Sequence, residues 1–224
     1  MKGIIQKSIY ISLIVQIITT AISLDGLNYS LSEKDKILKD ILKLEAFVQF
    51  VETGFYIWVI SSITQLDKVT PRRYLDWFIT TPTMLTSTII FMKYTDEKEN
   101  NNKKINFWEF LKSDYENIKK MIILNFFMLV FGLLGELGYG NKYLMIFIGF
   151  IFFYYLFKHI YEEYAKYSKI GYKLFIFLVI VWGMYGISAM MSLKYKNLCY
   201  NFLDIISKNF YGLFIYYKIL QAKY

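Results

Sequence analysis

Proline, cysteine and histidine are almost missing from this 224-residue chain, which holds two, one and one of them. A lone cysteine, Cys199, has no partner for an internal disulfide and reads as a small packing residue in an apolar stretch. A lone histidine, His159 beside "YEEY", makes no metal site and reads as a solvated interfacial group, so no metal is expected. Few prolines, with 56% hydrophobic and 20% aromatic residues, do not make the composition of an ordinary soluble domain. Nor is there a polar stretch long enough to be one. The longest insert, 95–117, is too small, although its "INFWEF" suits a short interfacial helix.

What is abundant is apolar sequence of membrane-spanning length. Seven runs, at 4–22, 37–63, 74–94, 118–137, 143–157, 172–193 and 198–217, come close to the ~20 residues that a ~30 Å hydrocarbon core demands of a helix. Between them lie loop signals such as "SLDGLNYSLSEKDK", "TDEKENNNKK", "GYGN" and "LKYKN". These runs predict an all-α, seven-transmembrane bundle, a single domain over 1–224 in a multi-pass integral membrane protein. Lys2, Lys7 and the "AIS" after the first run resemble a cleavable signal. Removing it would leave six helices, so the run is kept as the first helix.

Lysines and arginines set the orientation. With the N-terminus outside, cytoplasmic segments hold 17 of the 26, outer segments 8, and Lys208 lies within the last helix. The bias predicts an extracellular N-terminus and a cytoplasmic C-terminus. The net charge of +8 then reflects topology and attraction to anionic headgroups, and nucleic acid is not an expected partner.

Charges inside the helices are the exception to be explained, because a charge at the bilayer centre costs about 2.5–3.5 kcal/mol on the gentlest scale. In the last helix Asp204 and Lys208 stand four apart on one face. In the third, Asp76 lies about a turn beyond Arg73, and Thr80 follows at i+4, where its hydroxyl can reach the carboxylate. If both faces point inward, Arg73, Asp76, Asp204 and Lys208 form a nearly neutral pocket of two positive and two negative charges. Such a pocket suits an interhelical salt-bridge pair or a transporter as well as a cofactor site.

The surrounding residues separate these readings. The stretch "RYLDWFITTPTM" carries Arg-Tyr-x-Asp-Trp-x-x-Thr-x-Pro, "LDIISKN" carries Asp-x-x-x-Lys, "WGMYG" is close to Trp-x-x-Tyr-Pro, and "LVFGLLGELG" adds a further match. On these motifs the chain resembles the microbial rhodopsins over nearly its whole length, with the viral branch and the proteorhodopsins nearest in appearance. The resemblance implies all-trans retinal in a Schiff base on Lys208, Asp76 as principal counterion and proton acceptor, and Asp204 as second counterion. It implies that Arg73 holds both carboxylates ionised. Trp77, Trp182 and Tyr185 would sandwich the polyene, Pro82 and Met84 would line the ring region, and Gly132 would leave room for the ring. Met84 implies green absorption. Gly186 replaces the usual proline and Ala189 a common tryptophan, so that wall departs from the pattern.

The output of such a photoreceptor is a separate question; an enzyme is not expected. An outward pump has an internal proton donor, but at its usual place stands Ser87, and "MLTSTII" is uncharged. The second helix offers Glu45 and Glu52, seven apart on one face, with Gln49 near the same stripe. Acidic and amide ladders line cation pathways, and Ser12 with Asn209 would complete a polar constriction. A light-gated cation channel is therefore the first expectation. A proton pump with a displaced glutamate donor comes second, a sensor third, and a non-retinal seven-helix transporter last. Glu45 near "KDILK" can also be merely interfacial, and Glu136 reads as structural. The expected partners are the bilayer and small cations or protons; a homo-oligomer is left open.

Overall fold

The computed structural model describes residues 2–61, 66–101 and 103–223. Its α-helices are α1 (Lys2–Gly26), α2 (Ile37–Ser61), α3 (Leu66–Asp96), α4 (Phe107–Ser113), α5 (Tyr115–Glu136), α6 (Lys142–Glu163), α7 (Lys169–Ala189), α8 (Leu193–Asp204) and α9 (Phe210–Ala222). A π turn, Ile205–Asn209, joins α8 to α9 without a break, so the described residues form seven long rods and the short α4. No strand occurs among them.

Local chemistry places the ends. Asn106 caps α4 and Asn141 caps α6, each accepting two backbone N–H groups, while Ser168 accepts the N–H of Gly171 at the start of α7. Gly138 and Gly140 turn the chain between α5 and α6 with φ of 79° and 83°, a region costly for residues with a Cβ. Pro82 lies inside α3 without breaking it. Around it, Thr81 donates to the Trp77 carbonyl and Thr86 to the Pro82 carbonyl, so both hydroxyls are satisfied within the helix.

The apolar runs all fall in helices, but charged and polar turns lengthen several. The run at 74–94 is the end of a helix that starts at Leu66, and the run at 143–157 continues through the charged turn to Glu163. The end expected at Ile63 lies outside the described residues. The short helix expected at "INFWEF" is α4. Each rod packs on its neighbours, α1 on α2, α2 on α3, α3 on α5 and α7, α5 on α6, α6 on α7, and α7 on α8; α1 then touches α8 and α9 and closes the ring.

Helices α1, α5 and α7, and α6 extended to Tyr167, are long and apolar enough to cross a membrane on composition alone. The other three rods carry the internal charges, which face inward. Outward point large apolar side chains such as Phe50, Phe147 and Ile180, a distribution suited to lipid contact.

Candidate functional site

Lys208 lies within the π turn, where Ser207, Lys208 and Asn209 are all buried. The wider turn sets all three against the neighbouring helices, and such bulges recur at functional positions. Lys208 Nζ is 2.7 Å from Asp76 Oδ2, 3.0 Å from Glu52 Oε1 and 3.8 Å from Asp204 Oδ1. Arg73 Nη1 lies 2.8 Å from Asp204 Oδ2, and Nη2 donates to Asn201 Oδ1. Asp204 also accepts the hydroxyls of Tyr56 at 2.7 Å and Tyr185 at 2.8 Å. Three side chains, Arg73, Tyr56 and Tyr185, thus satisfy this carboxylate, as a buried charge requires.

The cluster departs from the expected two-plus-two arrangement, because Glu52 joins it and three carboxylates face two cations. Glu52 is expected to line an ion pathway with Glu45, and nothing in its spacing announces a contact with the lysine. The packing of α2 against the π turn brings it to the height of Nζ, where Gln16 Nε2 also donates to Oε2 at 2.6 Å. Arg73 does not bridge both aspartates: its ion pair is with Asp204, while Asp76 pairs with the lysine. Thr80 does not bond the Asp76 carboxylate either. Its hydroxyl donates to the Asp76 backbone carbonyl at 3.0 Å, the in-helix acceptor that threonine rotamers reach readily.

On one side of Lys208, α3, α5, α6 and α7 enclose a cavity with about 780 Å³ of atom-free space, part of it open to the surroundings. Trp77, Met84, Gly132, Trp182 and Tyr185 line it, with Lys208 and Ser207 at one end. Trp77 meets Tyr185 and Tyr200 edge-on at 5.5 and 5.1 Å between ring centres. Pro82 is a correction: it is half-buried and does not border the cavity, because its side of α3 is not the side that carries Met84. A Cβ on Gly132 would stand 2.8 Å from the Tyr74 hydroxyl, and one on Gly186 would collide with the Phe150 ring. Both positions are therefore small so that rings can close in; Ala189 also borders the space. An apolar, ring-walled cavity with a single amine at its end suits a long apolar group attached through that amine.

On the other side runs a polar column. Ser12, Gln16, Thr19 and Ser23 of α1 are all buried. Ser12 donates to the Asn201 carbonyl at 3.1 Å, Gln16 to Glu52, Thr19 to Asn209 Oδ1, and Ser23 to Gln49 Oε1 at 3.0 Å. Ser12 and Asn209 therefore do not meet. They bond α1 about 10 Å apart along its axis, on opposite sides of the Glu52 level. Gln49 Nε2 and Asn209 Nδ2 are buried without a hydrogen-bond partner among the described residues, although buried amides rarely stay unsatisfied.

Glu45 is fully buried rather than interfacial, and Ser87 donates to its Oε1. His159 is buried, not solvated: α5 packs over it, and Nε2 lies 3.1 Å from the Asn117 carbonyl oxygen. Glu136 pairs with Lys196 at 2.5 and 2.6 Å, tying α5 to α8.

The family model described as bacteriorhodopsin-like protein matches residues 5–222. No curated protein sequence matches the chain. Among solved structures it is similar to the viral rhodopsin OLPVRII, with a TM-score of 0.85 and 25% identity over 97% of this chain and 98% of that one. It is also similar in fold to a blue light-absorbing proteorhodopsin from Med12, with a TM-score of 0.73 and 19% identity over 97% and 96% of the two chains. Halorhodopsin, a light-driven chloride pump, gives 0.73 and 14% over 97% and 95%.

Proposed function

The chain belongs to the bacteriorhodopsin-like family, integral membrane proteins of seven helices, and on that premise we propose that it is a light-gated cation channel with all-trans retinal held covalently on Lys208. The single observation that carries the channel reading is the buried polar column along α1, α2, the end of α8 and the π turn that passes the lysine. Retinal, held by Lys208 and the rings of the cavity, would supply absorption of visible light and an isomerisation next to the lysine nitrogen.

The chain's own residues do the rest. Trp77, Trp182 and Tyr185 exclude water from the cavity and restrict motion in it. Asp76, 2.7 Å from Nζ, balances the cation and is the nearest oxygen to take its proton. Arg73, Tyr56 and Tyr185 fix Asp204 as the second anion. Glu52 and Gln16 close the column at the lysine's height. When Nζ moves, Glu52 loses its ion-pair partner, and the column opens to cations between Asn201 on one side and Asn209 and Gln49 on the other. In the orientation given by the lysine bias, Asn209, Gln49 and Glu45 lie toward the cytoplasm.

Photocurrents under voltage clamp test this. They should reverse sign with voltage and lose amplitude in Glu52→Gln; currents of one sign at every voltage reject the channel. A proton pump is the second reading, favoured by the bond between Glu45 and Ser87, which puts a buried carboxyl beside the position where a pump keeps its donor. In that case Glu45→Gln slows recovery after a flash far more than Glu52→Gln.

A further inference from the structure

Away from the lysine, a groove runs between the start of α2 and the segment leading into α4. Lys36, Lys43 and Leu44 line it from the start of α2, and Lys104, Phe107 and Trp108 line it from the facing segment. Trp108 is 69% exposed, although it belongs to a helix that otherwise turns Phe110 into the core. Below the groove α2 shows Lys43, Phe47 and Phe50 as one outward stripe, with Phe50 70% exposed. This stripe is lipid-facing surface of a membrane helix. The groove is thus its continuation upward into a basic rim.

The rim has an unusual electrostatic arrangement. Asp40 neutralises Lys43 at 2.8 Å. Lys36 and Lys104 instead converge on one carboxylate, that of Glu33, with Lys104 at 2.8 Å. The hydrogen bond from Lys104, then that from Lys36, holds the Glu33 carboxyl down to about 2. All three side chains are more than half exposed, and exposed pairs of this kind are weak. An anion with several oxygens can therefore take the place of Glu33 between the two ammonium groups.

We propose that this groove is a binding site for one bilayer lipid with an anionic phosphate headgroup. The phosphate sits between Lys36 and Lys104, the glycerol region packs on Phe107 and Trp108, and an acyl chain follows Leu44, Phe47 and Phe50 into the hydrocarbon. Charge complementarity selects the headgroup, and continuity with the lipid-facing stripe selects a lipid over a soluble anion. The assignment is independent of retinal and of the transport reading.

The test uses the full chain purified from bilayers containing equal amounts of phosphatidylglycerol and phosphatidylcholine, with retained lipid counted by native mass spectrometry. Retention should favour phosphatidylglycerol several-fold. Joint replacement Lys36→Gln and Lys104→Gln should abolish the preference, Glu33→Gln should strengthen it, and Trp108→Ala should lower total retention. Equal retention of the two lipids by the unsubstituted protein overturns the proposal. So does a preference that survives the double lysine replacement, or displacement of the lipid by inorganic phosphate at matching concentration. Unchanged circular dichroism melts in Glu33→Gln, a surface replacement, keep the result readable if another variant misfolds.

Discussion

On the α3, α5, α6 and α7 side of Lys208 the chain builds walls of rings around a cavity, whereas on the side of α1, α2 and the π turn it builds a ladder of hydroxyls, amides and carboxylates. The two sides meet at one nitrogen. A ring-lined cavity excludes water and strengthens every charge interaction at its mouth, while buried amides demand polar partners and tolerate water. The contrast explains why the lysine stands at the boundary: a displacement produced on the dry side changes ion pairing on the polar side without any long lever.

The sharpest way to break this division is to remove the nitrogen itself. Lys208→Ala should abolish the visible band formed with added all-trans retinal, and a hydroxylamine-sensitive band that persists would disprove attachment there. Next in size is Arg73→Gln, which leaves Asp204 buried without its cation. Losing one partner of a buried pair costs roughly 3–5 kcal/mol, so thermal unfolding followed by circular dichroism should fall steeply. Asp204→Asn on the same background should restore part of the loss.

Smaller effects separate the two sides. Gly132→Val forces a side chain against the Tyr74 hydroxyl, and overpacking of this kind costs about 1–3 kcal/mol. It should reduce retinal uptake or shift the band while leaving the polar column intact. Thr19→Val deletes the bond to Asn209, worth about 1 kcal/mol. Its absorption maximum should stay in place while photocurrent amplitude or ion preference changes. If instead Thr19→Val moves the maximum and leaves the current alone, the column serves as interhelical glue rather than as a path.

Much of the arrangement around the lysine could be read from the chain, for a simple reason. Asp76, Arg73, Asp204 and Lys208 are anomalies in apolar segments, and a buried charge has few solutions other than another charge. Trp77, Met84, Gly132, Trp182 and Tyr185 were legible through motif resemblance and do border the cavity. Of the α1 stripe of Ser12, Gln16, Thr19 and Ser23, spacing singles out Ser12, while the bond to Asn209 comes from Thr19. The contact of Glu52 with the lysine and the side of α3 that carries Pro82 were not legible, because spacing along one helix gives a face but not its height or rotation against the next helix.

By itself the sequence determined the helical class, the inward charges, the membrane setting and the lysine, since each follows from the cost of polar groups in hydrocarbon. Only tertiary structure decided that Glu52 becomes a third carboxylate at Lys208, that Glu45 meets Ser87, and that Lys196 finds Glu136. Those pairings depend on how far each rod slides and turns against its neighbours. That is set by the summed packing of many side chains, and by a π turn whose extra residue no local pattern announces.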